Sequence, residues 1–401
     1  MPMSKIPTRA LSMSLVVLAL CVTVLPSRAA TNLLKNPGFE DQVRDHAWMA
    51  ANWDTSRTGL PSVFFGRDTM LAHGGQFSVN VANVSMRNPM AYNWSQSVAV
   101  GPEAWGKDAV FTIWTRTNGL EGRAYILLQA YRDTASKMAQ AWGVDRDEAL
   151  RRLRITKIDD PLLDIGWKRQ QFSENQTDWV KRAVRVYVPP SVNMLYVRSG
   201  LFGTGQVIFD DASLTLEPAL PPDPIPLNTN LLADPGFEGD GNAWEYSMPP
   251  FDGIEVVRDE TVAHTGKASV RLEGPNGIVE ARAGACQVLC NRQLAGKRLR
   301  LSAWVKTDSL RSSAFLKVYF HGLKEAVAVP GWEQFSMNTP WTKTMFEIDV
   351  PEDTYAVWAW FLYITPAKGR VYYDDMSVEV VGPATGVIGP APPTDATRGG
   401  N

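Results

Sequence analysis

The sequence predicts an all-β protein built from two copies of one β-sandwich module. The main observation is a repeat: residues 32–40, NLLKNPGFE, return as residues 230–238, NLLADPGFE. Two further segments recur in the same order, with 72–79 matched by 263–270 and 209–214 matched by 373–378. A composition of 14 Trp, 31 Gly and 27 Pro, with few long helical patterns, also favours short strands joined by turns.

The first 30 residues have the order of a secretory signal peptide. Lys5 and Arg9 precede an apolar run over residues 15–25, and Ser27 and Ala30 lie in the short segment that follows it. The run is shorter than the ~20 residues of a membrane-spanning helix, and no later stretch is long enough. We therefore expect an exported protein without membrane insertion, secreted or extracellular, with the periplasm as the other possible destination.

The charge balance argues against negatively charged partners. Without Lys5, Arg9 and Arg28, 37 basic residues face 42 acidic ones, a net charge of −5. Such a chain has no electrostatic reason to bind nucleic acid or anionic lipid.

The repeat sets the domain boundaries. We predict a first module over residues 31–216, a second over 229–381, and a Pro-rich linker over 217–228 that should be extended and semi-rigid. Residues 382–401 contain little that could enter a core, and we expect a disordered tail there.

Alternation of apolar and polar residues sorts the two faces of the predicted strands. Residues 125–131 of the first module correspond to 315–321 of the second. Every second residue of these segments is apolar in both copies and should point into the sandwich. The inward residues are Ile126, Leu128, Ala130, Leu316, Val318 and Phe320.

Only the first module carries an insertion, about residues 132–165, which is 28 residues longer than the matching part of the second. Residues 135–142 and 146–154 have helical patterns, and Asp145 with Glu148 forms a capping pair. This helical insertion could be a lid over the outward face, an ornament at its edge, or the contact for a protein partner.

Two cysteines, Cys286 and Cys290, follow the predicted signal peptide. In one straight strand their Cα atoms would be ~13 Å apart, so a disulfide requires a turn between them. Metal binding is not indicated, because a zinc site needs further Cys or His ligands.

The repeated segments resemble carbohydrate-binding modules of families four, nine and twenty-two. The matching motifs are the opening NLLxN/DPGFE, the His-x-Gly-x-x-Ser segments at His73 and His264, and the closing aromatic-Asp-Asp-x-Ser. The resemblance implies a galactose-binding-like jelly-roll β-sandwich for each module. Since the same fold also serves adhesion and purely structural roles, it does not by itself name a ligand.

The resemblance also implies a structural calcium ion in each module. Its side-chain ligands would be Glu40 and Asp210 in the first module and Glu238 and Asp374 in the second. The alternative is that each glutamate caps backbone N–H groups. His73 and His264 are expected to bond within their loops, and Trp114, Trp179, Trp304 and Trp341, which recur in both copies, are expected to be scaffold.

A glycan site needs flat aromatic rings beside polar groups, because sugar rings carry apolar faces ringed by hydroxyls. The outward residues supply both. The candidate ligand-binding residues are Gln129, Tyr131, Tyr196 and Arg198 in the first module, and Lys317, Tyr319, His321, Trp358 and Trp360 in the second. Residues 357–363 are apolar on both faces, so whether Trp358 and Trp360 point outward or into the core stays open.

We therefore predict a secreted, non-catalytic protein that binds polysaccharide or cell-surface glycan through the concave faces of both modules. The alternative is an extracellular structural or adhesion protein that uses the same sandwiches for protein contacts. A polysaccharide hydrolase or lyase is less favoured, since the sequence has four His and no common catalytic motif.

Overall fold

The computed structural model describes residues 31–56, 59–85, 91–133, 143–145, 148, 162–247, 255–274, 282–322, 327–330, 335–364 and 368–386. Thr31–Asn401 belongs to one compact unit. The predicted signal peptide lies outside the described residues. Among those that are described, no helix has the length and apolar character needed to span a membrane.

The first module is an antiparallel β-sandwich. Its strands are β1 (Gln42–Val43), β2 (His46–Ala50), β3 (Asp54–Thr55), β4 (Val63–Asp68), β5 (Ser78–Asn83), β6 (Ala91–Ala99), β7 (Lys107–Asp133), β8 (Leu162–Phe172), β9 (Val180–Tyr187) and β10 (Met194–Pro218), with a 3-10 helix at Pro102–Ala104. The long strands β7 and β10 pair along most of their length and belong to both layers. One layer has the order β4-β5-β10-β7-β9, and the other has the order β3-β6-β10-β7-β8.

Glycines mark the places where the two long strands pass from one layer to the other. Gly122 and Gly203 have φ angles of +126° and +106°, which side-chain-bearing residues rarely adopt. A Cβ atom on Gly122 would lie 2.3 Å from the Phe202 carbonyl oxygen. The crossing therefore requires glycine for both conformation and space.

The second module has the same strand order. Its strands are β11 (Glu245–Ser247), β12 (Glu255–Asp259), β13 (Ser269–Gly274), β14 (Arg282–Leu289), β15 (Lys297–Gly322), β16 (Val327–Pro330), β17 (Phe335–Asp349), β18 (Thr354–Ile364) and β19 (Gly369–Pro383), with a 3-10 helix at Arg292–Leu294. Strand β15 takes the place of β7, and β18 with β19 takes the place of β10. The predicted all-β fold class is confirmed.

The core of each sandwich contains the residues that alternation assigned to it. The inward residues Ile126, Leu128, Ala130, Leu316, Val318 and Phe320 are at most 3% exposed. In β18 the residues that belong to the hydrophobic core of the sandwich are Val357, Ala359 and Phe361, so Trp358 and Trp360 at the alternate positions lie on the opposite, outward side and are partly exposed. The sequence left open whether Trp358 and Trp360 point outward or into the core, and in the structure they point outward.

The insertion of the first module ends earlier than predicted. Strand β8 begins at Leu162, which pairs with Asp133 of β7, so residues 162–165 are strand and not insertion. Asp145 Oδ1 accepts a 2.7 Å hydrogen bond from the Glu148 backbone N–H, as expected for the predicted cap. Glu148 itself is helical, and the rest of both predicted helices lies outside the described residues, so the helical insertion stays a prediction.

The linker and the start of the tail are held by hydrogen bonds. The Leu220 N–H donates to Asp108 of the first module, and the Asn291 side chain of the second donates to the Asp223 carbonyl oxygen. At the other end, β19 extends to Pro383, and Thr385 donates its N–H to Asp349. Gly382 and Pro383 are thus paired with β15, whereas residues 387–401 of the predicted tail lie outside the described residues.

Candidate functional site

The repeated motifs form a closed polar network in each module. The Glu40 carboxylate accepts backbone N–H groups from Gln76 and Phe77, at 3.0 and 3.2 Å. Asp210 accepts from the N–H groups of His73 and Gly74, at 2.7 and 3.1 Å. Glu238 and Asp374 repeat these bonds in the second module with Lys267, Ala268, His264 and Thr265.

A histidine lies at the centre of each network. The His73 ring stacks on Trp114 at 3.9 Å between centroids and meets Trp179 edge-on at 5.6 Å. Its Nδ1 lies 2.6 Å from Asp211 Oδ2. The corresponding histidine, His264, stacks on Trp304, meets Trp341 edge-on and has its Nδ1 2.6 Å from Asp375 Oδ2. The histidine side chains therefore bond to the closing motif on another strand and not within their own loops, as had been expected, and the recurring tryptophans pack around them.

The bonds of these carboxylates correspond to N–H capping, the alternative to a calcium site. Their oxygens face backbone N–H groups, whose partial positive charge belongs beside an anion and not beside a cation. Burial raises the pKa of Asp210 to about 6 and outweighs the opposing effect of these N–H donors. Within the described residues, no group of three or more His, Cys, Asp or Glu is arranged to hold a metal. Calcium stays a prediction, and the geometry favours the alternative of N–H capping.

The predicted residues of the first module share one surface, which we call the first face: Gln129 and Tyr131 on β7, with Tyr196 and Arg198 on β10. The Arg198 guanidinium lies 4.4 Å from the centre of the Tyr196 ring. The Tyr131 and Tyr196 rings are 6.5 Å apart. Gln129 and Tyr131 are only 6% and 9% exposed, so half of this face is shielded from solvent.

The predicted residues of the second module share the second face: Lys317, Tyr319 and His321 on β15, with Trp358 and Trp360 on β18. The two indole rings lie side by side, 6.2 Å apart and within 17° of parallel. His321 stacks on Trp358 at 5.2 Å, and Lys317 Nζ lies 4.5 Å from the centre of the Tyr319 ring. The face therefore combines a flat aromatic row with a cation and an imidazole.

Strand β8 contributes residues that the sequence analysis missed. Trp167, Arg169 and Gln171 alternate along it and contact the second module. The Trp167 ring lies 5.6 Å from that of Trp358, and Arg169 forms an ion pair with Glu245. An alternating Trp-x-Arg-x-Gln pattern after residue 166 was the available signal. It was overlooked because these residues directly follow the segment assigned to the insertion.

The ion pair at this junction is well shielded. The side chains of Arg169 and Glu245 are 25% and 14% exposed. Burial raises the pKa of Glu245, although the positive charges of Arg169 and Arg123 oppose the shift. Burial, and after it the nearby Glu245 charge, also raises the pKa of the Cys286 thiol well above its ordinary value.

Cys286 and Cys290 are not joined to each other by a disulfide. Cys286 is buried in β14, opposite Trp360 in the register, and Cys290 follows the end of that strand. The Cys290 thiol instead donates to the Trp167 carbonyl oxygen at 2.9 Å. This contact adds to the junction between the modules.

A cleft of about 240 Å³ opens beside the same junction, under the linker. Tyr187 and Tyr355 line it with rings 6.1 Å apart, and the Arg292 guanidinium lies 4.3 Å from the Tyr187 ring centre. Asp108 and Glu217 pair with Arg185 at its wall. The positive charge of Arg185 in this cleft is thus already paired with two carboxylates.

No protein-family model matches the sequence, and neither does any curated protein. Among solved structures, the N-terminal CBM22-1-CBM22-2 tandem domain of Xyn10C from Paenibacillus barcinonensis is similar at 13% identity, covering 89% of this chain and 99% of that one, with a TM-score of 0.30. TmCBM61 in complex with β-1,4-galactotriose is 18% identical, covering 47% of this chain and 100% of that one, with a TM-score of 0.28.

The matches also include an enzyme. The arabinose-bound α-L-arabinofuranosidase MgGH51 is 12% identical, covering 46% of this chain and 26% of that one, with a TM-score of 0.30. Carbohydrate-binding modules of families 4, 22 and 61 are among the similar structures, and families 4 and 22 are two of those that the repeated motifs resemble. At such low identity and TM-score, the ligand has to be argued from the side chains of this chain.

Proposed function

We propose that this chain is an exported, non-catalytic glycan-binding protein and that its second face stacks the sugar rings. The observation that carries the proposal is the pair Trp358 and Trp360, two nearly parallel and partly exposed indoles at alternate positions of one strand. Flat aromatic rings bury the apolar faces of sugars with little loss of side-chain freedom.

The flanking groups supply what a sugar's hydroxyls need. Lys317 pairs with Trp360 across β15 and β18, and Tyr319 pairs with Trp358. An ammonium group donates hydrogen bonds, and a phenolic hydroxyl both donates and accepts them. The second face therefore offers stacking and hydrogen bonding on adjacent strands, which is the combination that glycan recognition requires.

The first face is the weaker candidate. Gln129 and Tyr131 are almost fully buried, while Tyr196 donates its hydroxyl hydrogen to Ser95 at 3.0 Å. Tyr125 and Leu127, on the same side of β7, pack with Trp167 against the second module. This contact favours the alternative function for the first face, namely a structural or adhesion role in which the outward surface of a sandwich binds protein.

Affinity electrophoresis tests the proposal. The full chain is run in gels that contain soluble polysaccharides with different backbones, namely xylan, mixed-linkage β-glucan, galactan, arabinan and mannan. Retardation by at least one polymer, reduced in Tyr319→Ala, supports glycan binding. The proposal fails if no polymer retards the protein, and release of reducing sugar would show an enzyme instead.

A further inference from the structure

The two sandwiches meet at the edge of the second face. Trp167 of β8 packs with Tyr125 and Leu127 of its own module, and Val288 and Trp358 of the second module pack against this cluster. The rings of Trp167 and Trp358 are 5.6 Å apart and inclined at 58°. Trp167 is 7% exposed, so it supports its neighbour and offers no platform of its own.

Polar contacts fix this arrangement at one register. The Gln171 amide donates to the carbonyl oxygens of Asn242 and Trp244, at 3.1 and 3.0 Å. Arg169, two residues before Gln171 on β8, pairs with Glu245. A shielded ion pair and directed hydrogen bonds tolerate sliding poorly, because any shift leaves buried polar groups without partners. The orientation of β8 against the second module is therefore specific.

Trp358 thus has neighbours from both modules. Trp167 contacts it on one side, while Trp360 and His321 stack beside it within the second face. An exposed indole without such support can occupy several rotamers, and binding would then cost the entropy of selecting one of them. Contact with a buried ring from the first module removes that freedom before ligand arrives.

We infer that the two modules form one composite glycan site, in which Trp167 of the first module is a positioning residue for Trp358 of the second. The inference rests on the proposed function of the second face. It gives the first module a role in binding that does not require its own face to contact sugar.

A double-mutant cycle on the full chain tests the inference, with the polysaccharide that retards the wild type as ligand. Trp167→Ala is measured in the wild-type and in the Trp358→Ala backgrounds, with Phe64→Ala as an exposed aromatic control in the other layer. We expect Trp167→Ala to weaken binding about 3- to 10-fold alone, the range of an aromatic pair, and to have no effect without Trp358. Trp167→Phe should restore most of the affinity.

Two results would overturn the composite site. One is unchanged affinity in Trp167→Ala, and the other is an equal loss in both backgrounds, which would mean a general effect on the fold. Trp360→Ala separates this failure from failure of the proposed function. If Trp360→Ala still weakens binding about tenfold or more, the second face binds glycan without help from the first module. If Trp360→Ala leaves the affinity unchanged, the proposed function itself is wrong.

Discussion

His73 Nδ1 and Asp211 Oδ2 lie 2.6 Å apart, and His264 Nδ1 and Asp375 Oδ2 repeat the distance in the second module. Each histidine is stacked on a tryptophan of its own module at 3.9 Å. The strongest sequence repeat in the chain is therefore a set of mutually bonded scaffold residues. It positions the sheets, while the candidate binding residues lie on the outward strands where the two copies differ.

Gly75 is a sensitive point of this scaffold. It has a φ of +63°, and a Cβ atom there would lie 2.1 Å from Glu40 Oε1. Gly75→Ala should lower the free energy of unfolding by about 2 kcal/mol or more, because backbone strain adds to displacement of the carboxylate from its N–H partners. Urea denaturation measures the change.

The matched control for this substitution is Gly106→Ala. Gly106 has a φ of +74° but no atom within 4 Å of a built Cβ. It should show the backbone strain alone, about 1–2 kcal/mol. Equal losses of unfolding free energy in the two variants would mean that the hydrogen bonds of Glu40 do not stabilise this loop.

Calcium removal should leave the melting temperature unchanged. The carboxylates of Glu40, Asp210, Glu238 and Asp374 accept backbone N–H groups, and a protein that binds no calcium gains no stability from it. Thermal melts in excess calcium and in chelator make the comparison. A rise in melting temperature with calcium would restore the calcium site that the family resemblance implies.

Acid should destabilise the second module by protonating Glu347 and Asp349, the two carboxylates that bond to Arg298. A hydrogen bond from Arg298 is the main reason why the pKa of Glu347 is lowered. Burial opposes the shift at Asp349, but hydrogen bonds from Arg298 and Thr385 outweigh it and lower the pKa there too. Since both folded-state pKa values lie below the unfolded ones, the stabilisation is present above about pH 4 and is lost as pH falls further.

The test measures the free energy of unfolding at pH values from 6 to 3 for the wild type and for Arg298→Met. The variant should lose less stability over this range, because its two carboxylates gain less from ionisation in the folded state once Arg298 is removed. Arg44→Met is the control, since the Arg44 side chain is 95% exposed. A pH dependence in Arg298→Met as steep as in the wild type would contradict this assignment.

Breaking the junction pair should cost more than breaking a surface pair. Arg169→Met leaves the shielded Glu245 without its partner, and we expect a loss of about 1–3 kcal/mol, which is discounted for partial exposure. Chemical denaturation measures the loss. Because Glu245→Gln removes the unpaired charge, the double variant Arg169→Met/Glu245→Gln should recover part of it, and no recovery would show that the pair is not the cause.

Sequence reasoning was sufficient where a feature depends on local periodicity. Alternation placed Ile126 and Val318 in the core, and the recurrence of Trp114 and Trp304 marked them as scaffold. It could not decide the orientation of Trp358 and Trp360, because a strand apolar on both sides has no preferred face until its neighbours are known.

The contact between the two modules could not be predicted from the sequence, for a different reason. Contact between Trp167 and Trp358 joins residues almost two hundred positions apart, and no pattern within either module encodes their meeting. The predicted Pro-rich linker also argued against a contact between the modules, since an extended, semi-rigid linker suggests that they are held apart. In the structure, Leu220 and Asp223 of this linker instead form hydrogen bonds to the two sandwiches.

Isothermal titration of the retarding polysaccharide into Trp360→Ala tests the central claim most directly, with Phe64→Ala as the control. Trp360 stacks beside Trp358 on the second face, whereas Phe64, 53% exposed, lies on β4 in the other layer. Glycan binding by the second face predicts about a tenfold or greater rise in Kd for Trp360→Ala, as loss of an aromatic contact residue produces, and no change for Phe64→Ala. Wild-type affinity in Trp360→Ala, with the fold intact by melting temperature, would contradict it.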